Sequence, residues 1–331
     1  MKKLHLVTED ASLDDLKYGD IDVIVVAAGY EPRCTHVLDR LQRTWNVAPS
    51  DVGQKVILIE FDEFGGLDSR AIADRFFASF TPRKRIRVTK DSPLGASHEF
   101  DEVMKSSGNS VRNILIDYTA MSRLHYLTLI PLLADRMGVR VVFAYAVGRY
   151  DGLEKQYPVA TVGDPRAVPG LEGLPHSGRP RLYLFGLGYD GLGAEALVER
   201  LEAQRLAVFW ADPGASPRAA EIARGHNSRL IERARLHFAC SLWDVRKLTS
   251  ILCRLAFETH ATERLVFVPI GPKPHILACG LTAAQFEHTA LLAPHFDAGG
   301  ILRDVPEIEA AGDIILTRVQ AAQPPSYLDW L

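Results

Sequence analysis

Short apolar runs alternate with amphipathic stretches along most of the chain. Each run in the first half is rich in Val, Ile and Leu, and is followed by a segment whose apolar residues recur every three or four positions. This alternation is typical of βαβ units, whose strands lie parallel in one sheet. Several runs are apolar throughout, as expected for central strands that helices cover on both faces. The strands predicted here are 22–29, 55–61, 84–90, 113–119 and 139–147.

The same alternation resumes in the second half. The strands predicted there are 181–188, 205–212, 228–234, 263–271 and 289–296. Residues 161–180 are rich in Pro and Gly without periodicity, which predicts a linker. We therefore predict an α/β protein with two tandem Rossmann-like domains, residues 1–160 and 181–331, each with a mainly parallel sheet flanked by helices.

The ends of corresponding strands can be aligned between the two halves. The first strand ends in AAGYEPR in one half and in FGLGYDG in the other, and the fourth ends in IDYTAMSR and VPIGPKP. We interpret this as a degenerate duplication, so that one chain would carry two copies of one βα domain and act as a covalent pseudo-dimer.

Composition narrows the class of protein further. The 331 residues suffice for two domains of ordinary size, and the net charge of −3 with a pI near 6.4 shows no overall basic character. Sequence-specific binding to nucleic acid is therefore not expected. The N-terminus lacks a secretory apolar segment, and no run approaches the roughly 18 apolar residues of a membrane span. Four cysteines without CxxC spacing favour buried thiols in a cytoplasmic protein.

Polar residues cluster where the strands of the first half end. Ligands of open parallel sheets bind beyond the carboxyl ends of the strands, at the point where the strand order reverses. Since the first and fourth strands are neighbours in many such sheets, we expect their turns to line one crevice. The candidate ligand-binding residues of this half are Tyr30, Glu31, Arg33, Asp62, Asp117, Thr119, Ser122 and Arg123.

These residue types suit an anionic, nucleotide-type ligand. Arg33 and Arg123 could each bind a phosphate or carboxylate in bidentate fashion. Asp117 could accept a hydrogen bond from a ribose hydroxyl, and the helix after Thr119 and Ser122 would offer free amides to an anion. The alternative is structural: Thr119 or Ser122 would be an ordinary helix cap, and Asp117 and Arg123 a surface pair.

The second half contains a literal GxGxxG at Gly186, Gly188 and Gly191. It follows a predicted strand and opens a helix, and Asp212 ends the next strand at about the spacing of dinucleotide-binding proteins. A nucleotide or dinucleotide such as NAD(P) is therefore a candidate cofactor. In the alternative interpretation Gly188, Tyr189 and Asp190 are the duplicated counterparts of the GYE turn at residues 29–31.

One further turn carries candidate ligand-binding residues, and motifs for metal binding or hydrolase chemistry are absent from the sequence. Lys273 and His275 lie at a further strand-to-helix turn, where Lys273 could bind a phosphate, or could simply be a solvated lysine. The sequence has no HExxH motif and no GxSxG motif, so neither a metal site nor an α/β-hydrolase triad is predicted. No catalytic residue is assigned.

The segment Asp117-Tyr118-Thr119 with Ser122 and Arg123 resembles the CRISPR-associated Rossmann-fold domains that bind cyclic oligonucleotides. Their recurring mark is a buried strand ending in Asp-x-Thr, followed by small and basic residues that open a helix. The cluster at 271–274, GPKP, looks like a decayed version in the second half. The chain departs from the pattern at residues 120–123, AMSR, where a Gly-rich turn with a lysine is common.

The resemblance implies a two-fold pair of domains with the ligand at the dyad. It further implies a nucleotide sensor in bacterial antiviral defence with a separately encoded effector protein, or an enzyme that degrades the signal. The leading hypothesis is thus a regulatory protein that binds a nucleotide-like small molecule. The alternatives are a nucleotide-processing enzyme of phosphodiesterase or ring-nuclease type, an NAD(P)-dependent enzyme, and an interaction protein with vestigial crevices.

Overall fold

The structure is a computed structural model and describes residues 5–62, 68–89, 92–106, 111–134, 136–150, 165–174, 178–294 and 308–322. Its strands are β1 (His5–Asp10), β2 (Val23–Ala28), β3 (Val56–Phe61), β4 (Lys84–Val88), β5 (Asn113–Asp117), β6 (Arg140–Gly148), β7 (Arg166–Ala167), β8 (Arg181–Gly186), β9 (Leu206–Ala211), β10 (Leu236–Cys240), β11 (Arg264–Pro269), β12 (Thr289–Ala293) and β13 (Ala310–Ala322). Its α-helices are α1 (His36–Trp45), α2 (Pro49–Gly53), α3 (Asp68–Ser79), α4 (Pro93–Ser106), α5 (Arg123–Ala134), α6 (Gly191–Arg200), α7 (Pro217–His226), α8 (Ser228–Arg233), α9 (Val245–Thr259) and α10 (Lys273–Ala283).

The described chain forms two compact units. The first domain comprises Leu4–Arg149 together with Glu307–Leu331, and the second comprises Tyr150–Pro306. The first has a seven-stranded sheet in the order β1-β13-β6-β5-β2-β3-β4, and the second a six-stranded sheet in the order β10-β9-β8-β11-β12-β7. Both are mainly parallel, with antiparallel strands only at one side.

Five parallel strands have the same order in both domains. Numbered along the chain within each domain, the order is 3-2-1-4-5, from β4-β3-β2-β5-β6 in the first and β10-β9-β8-β11-β12 in the second. This confirms the prediction of two Rossmann-like domains and agrees with the proposed duplication. In each, the strand order reverses beside the first strand.

The central strands are apolar throughout because both faces of the sheet are covered. Every residue of β2 is buried, and Ile24, Val26 and Ala28 pack against Leu38 and Leu41 of α1. In the second domain the side chains of β8, β9 and β11 form an equivalent core with α6. Continuous apolar runs of this kind bury a core on each side of a parallel sheet.

The domain division differs from the predicted one at the C-terminal end. The prediction placed residues 181–331 in one domain, but β13 lies between β6 and β1 of the first sheet and is antiparallel to both. Hydrogen bonding to β13 satisfies the side of β6 that β5 leaves open. The second domain is thus inserted between two neighbouring strands of the first.

Two further segments differ from their predicted state. Within the predicted linker 161–180, Arg166–Ala167 pairs with β12, and Val168 and Leu171 are fully buried. The predicted strand 228–234 is instead helix α8, and the third strand is β10, formed by LHFAC. Arg, Leu and Glu, which make up most of α8, are good helix formers, and this local preference overrides the apparent alternation.

Replacement of Leu316 tests the assignment of β13 to the first domain. Leu316 is buried in the core of that domain, so Leu316→Ala should lower its free energy of unfolding by about 2–5 kcal/mol. Hydrogen exchange should accelerate in β1 and β6 and remain unchanged in β8 and β9. Gln320→Ala, at an exposed position of the same strand, should change stability by less than about 0.5 kcal/mol. Faster exchange in β8 would contradict the assignment.

Candidate functional site

The turns after β2 and β5 are in direct contact at one edge of the first sheet. β2 pairs in parallel with β5 on one side and with β3 on the other, so this edge is where the strand order reverses. A Cβ atom on Gly29 would lie 2.7 Å from the Cβ of Ala120, so only a glycine lets the two turns approach this closely. We call this edge, formed by residues 29–35 and 117–123, the rim.

Arg33 is buried at the rim and extensively bonded. It is 3% exposed, and its Nε donates to Oε2 of Glu31 at 2.7 Å. Its Nη1 donates to the hydroxyl of Tyr145 at 2.9 Å and to the carbonyl of Ala146 at 3.1 Å. The guanidinium also lies 5.2 Å from the centroid of the Tyr145 ring. Charge pairing with Glu31 and the aromatic contact together make burial of this cation tolerable.

Asp117 is the last residue of β5, and Thr119 in the following turn binds the neighbouring strand β6. The last pair between β5 and β6 is Asp117 with Ala144, and β6 continues to Gly148. Past that point the N–H of Ala146 donates to Oγ1 of Thr119 at 2.8 Å, while Arg33 binds the carbonyl of the same residue. Asp117 accepts the N–H of Thr119 at 3.0 Å, which shapes the turn. Thr119 therefore also completes the hydrogen bonding of the sheet, and Asp117 shapes the turn that places it there.

An aromatic stack lies beside this turn. The ring of Tyr118 stacks on that of Tyr145 with centroids 5.4 Å apart, and contacts Tyr126 of α5 at 5.0 Å. Burial raises the pKa of Tyr118 well above 10. Arg33, Tyr145 and Tyr118 thus form successive layers that hold the rim in one conformation.

The start of α5 brings a serine and a histidine together. Ser122 immediately precedes the helix, and its Oγ lies 2.5 Å from Nδ1 of His125. The His125 ring is 1% exposed and packs edge-on against Phe61 at the end of β3, with centroids 4.9 Å apart. His125 had no assigned role in the sequence prediction, because its approach to Ser122 depends on the start of the helix.

The predicted residues of the first domain differ in their exposure. Arg33, Asp117 and Thr119 are buried, whereas Tyr30, Glu31, Ser122 and Arg123 are partly exposed and could contact a ligand. Asp62 is exposed after β3.

A second buried arginine, not among the predicted residues, lies near the rim. Arg70 is 5% exposed in the first turn of α3; its Nη1 donates to the carbonyl of Phe61 and its Nε to Asp74, both at 2.7 Å. Its i,i+4 spacing from Asp74 was the only signal in the sequence, and such pairs are common on exposed helices. Arg70 holds the end of β3 in place.

The second domain repeats the close approach of two turns. A Cβ on Gly188 would lie 3.1 Å from the carbonyl oxygen of Ile270 and 3.2 Å from the Cα of Gly271. These residues follow β8 and β11, the counterparts of β2 and β5. Gly186 faces the ring of Phe209 in the same way, and a Cβ on Gly191 would overlap the carbonyl oxygen of His226. Packing within the protein therefore accounts for all three glycines of the GxGxxG.

The turn before α6 is occupied by the protein's own groups. Asp190 caps the helix by accepting the N–H of Gly193 at 2.8 Å, so its carboxylate lies where a dinucleotide phosphate would bind. Asn227 donates to the carbonyl of Gly188 at 2.8 Å, and Nδ1 of His226 lies 2.7 Å from the carbonyl oxygen of Tyr189. The backbone of this turn is thus held by Asp190 within the turn and by His226 and Asn227 at the end of α7.

The remaining predicted residues of the second domain are spread along the same edge. Asp212 is exposed after β9, and Lys273 is the partly exposed first residue of α10. His275 is fully buried, with Nε2 3.2 Å from the carbonyl oxygen of Ser241. Burial lowers the pKa of His275 from 6.5 to about 4, against the opposing effect of that hydrogen bond.

The chain is an α/β protein with two Rossmann-like domains. In each domain two turns are in contact at the point where the strand order reverses. No protein-family model matches the chain, and no curated protein sequence matches it. None of the described helices is long and apolar enough to cross a membrane. Within the described ranges, no three His, Cys, Asp or Glu side chains are grouped so as to hold a metal ion.

Gly29→Ala tests the contact between the two turns. The added methyl group would force Ala120 away, so we expect a loss of about 1–3 kcal/mol in the free energy of unfolding of the first domain. Gly19→Ala is the matched control, because nothing lies within 4 Å of its Cβ position. Urea unfolding, with hydrogen exchange of β2 and β5 as the local reporter, measures both. Equal effects of the two substitutions would refute the close contact.

The buried His275 should make the second domain sensitive to acid. Its pKa of about 4 in the folded state lies below the ordinary 6.5, so the unfolded chain binds the proton first. Stability is therefore complete above pH 6.5 and falls as the pH drops towards 4, by on the order of 3 kcal/mol. Urea unfolding across this range should show a smaller pH dependence for His275→Gln. His237→Gln, at an exposed position of β10, should behave like the unaltered protein.

Proposed function

We propose that the first domain is a sensor that binds an anionic, nucleotide-type ligand at the rim and signals to a separate effector protein. The observation that carries the proposal is the contact between the turns at residues 29–35 and 117–123, at the point where the strand order reverses. Ligands of open α/β sheets bind at this point of the fold. The resemblance of the Asp117-Tyr118-Thr119 segment to domains that bind cyclic oligonucleotides supports a regulatory role in antiviral defence.

Arg123 and Glu31 define how the ligand would be held. Arg123 is the first residue of α5, where the helix amides and dipole also favour an anion. Glu31 is partly exposed beside Arg33, so its carboxylate would compete with a ligand phosphate for the positive field of the guanidinium at the surface of the rim. The partly exposed ring of Tyr30 offers a surface on which a base could stack.

The two domains are not equivalent in this proposal. In the second domain the carboxylate of Asp190 already occupies the amide that an anion would use, and His226 and Asn227 fix the backbone of the turn. In the first domain the counterpart of Asp190 is Glu31, in the turn after β2, and its charge is paired with Arg33 at 2.7 Å. A negative ligand is therefore less repelled at the first domain.

Thermal unfolding with a panel of cyclic oligonucleotides, mononucleotides and NAD(P) tests the proposal. A ligand at 100 times its dissociation constant should stabilise the protein by about 2.7 kcal/mol. Arg123→Ala should weaken binding about tenfold, as expected when a charge-assisted hydrogen bond is lost. Glu31→Gln should strengthen binding, because it removes the competing carboxylate. Arg43→Ala, at a side chain 74% exposed on α1, is the control and should leave binding unchanged.

Two results would contradict this assignment. The first is a panel in which no nucleotide raises the melting temperature. The second is a shift produced by NAD(P) alone and lost in Asp212→Ala, which would move the binding site to the second domain.

A further inference from the structure

Ser122 and His125 form a hydrogen-bonded pair at the start of α5. The Oγ of Ser122 lies 2.5 Å from Nδ1 of His125 and also accepts the backbone N–H of His125 at 3.4 Å. A serine hydroxyl has one hydrogen and two lone pairs, so Oγ can accept the amide N–H and donate its own hydrogen to Nδ1. The imidazole nitrogen then acts as acceptor, which is the state required of a general base.

The two residues of the pair differ in exposure. Ser122 is partly exposed at the rim, whereas His125 is buried and held by its edge-on contact with Phe61. A base whose ring is fixed by packing is oriented towards one hydroxyl only.

Helix capping alone does not account for the histidine. Ser216 caps α7 by accepting the N–H of Ala219 at 3.2 Å, and Asp244 caps α9 by accepting that of Lys247 at 2.8 Å. These caps act through the backbone three residues on, without an imidazole. In α5 the N–H of His125 donates to the carbonyl of Ser122 at 3.1 Å and to its Oγ at 3.4 Å, as in an ordinary cap, and the imidazole adds a shorter contact to the same hydroxyl.

We propose that Ser122 is a nucleophile activated by His125, and that the rim hydrolyses a phosphodiester bond. This deepens the proposed function and rests on it for the class of substrate, a nucleotide-type phosphodiester. Arg123 follows the nucleophile directly, and its cation would stabilise the charge that develops on the phosphoryl oxygens.

The reaction is a double displacement. The Oγ of Ser122 attacks phosphorus while Nδ1 of His125 takes the hydroxyl proton, and the bond from phosphorus to the leaving oxygen breaks with its electron pair. The imidazolium returns the proton to that oxygen, which departs as an alcohol. Water then attacks the phosphoserine with His125 as base, which releases a phosphomonoester and restores the hydroxyl.

A fluorophosphonate probe tests the nucleophile without a nucleotide. Attack by Ser122 expels fluoride and leaves one adduct per chain, which peptide mass spectrometry locates. Ser122→Ala should abolish the adduct, and Ser216→Ala should leave it unchanged. His125→Asn, whose side-chain oxygen can replace Nδ1 as hydrogen-bond acceptor but is not basic, should slow labelling at least about a hundredfold. The melting temperature shows that each variant is folded. Absence of labelling, or labelling that persists in His125→Asn, would overturn the proposal.

Turnover is measured with bis(4-nitrophenyl) phosphate. The full-length protein should release 4-nitrophenolate, and Ser122→Ala should reduce the rate to that of the buffer. No turnover, or turnover that survives in Ser122→Ala, would overturn the hydrolytic step. Nucleotide-induced thermal shifts separate this proposal from the sensor proposal. A nucleotide-induced thermal shift without labelling would rule out Ser122 as a nucleophile but leave the nucleotide site. Labelling without a thermal shift would rule out the nucleotide site but leave the nucleophile.

Discussion

The backbone of Ala146 is held by both turns of the rim at once. Its N–H donates to Thr119 and its carbonyl accepts from Arg33, so the ends of β2 and β5 are joined through a single residue of β6. Unpaired backbone groups in such a buried position would cost about 1–3 kcal/mol each. The geometry of the rim, the burial of Arg33 and the pairing of Arg33 with Glu31 all depend on this double contact.

The same contact explains which polar groups face outward. Arg33, Asp117 and Thr119 are used within the sheet, and Tyr30, Glu31, Ser122 and Arg123 keep part of their surface exposed. A buried, bonded layer beneath a partly exposed one is the arrangement expected of a preorganised site. The second domain has the same strand order and the same approach of turns, but there Asp190 caps α6 and Asn227 binds the carbonyl of Gly188. The two domains therefore share their strand order and the contact between turns, but differ in the side chains at those turns.

Burial makes the thiols of the first and second domains poor nucleophiles. Burial raises the pKa of Cys34 to about 12 and that of Cys253 to about 11, so neither forms a thiolate near neutral pH. Cys34 lies in the turn that contains Arg33, yet its sulfur is directed at the carbonyl of Gly29. Ser122 combines partial exposure with a neighbouring imidazole, which Cys34 lacks.

The pattern of residues along the chain was enough to predict two α/β domains and the meeting of the turns near residues 30 and 120. It also predicted all five parallel strands of the first half and four of the five in the second. Apolar runs and helical periodicity are local properties, and the carboxyl ends of parallel strands necessarily share one edge. Local pattern could not assign β13 to the first sheet, because its partner β6 is more than a hundred residues away in sequence. Nor could it show that Arg33 is buried, that Arg70 holds β3, or that His125 meets Ser122. Those outcomes depend on which surfaces pack together, and only the folded chain determines that.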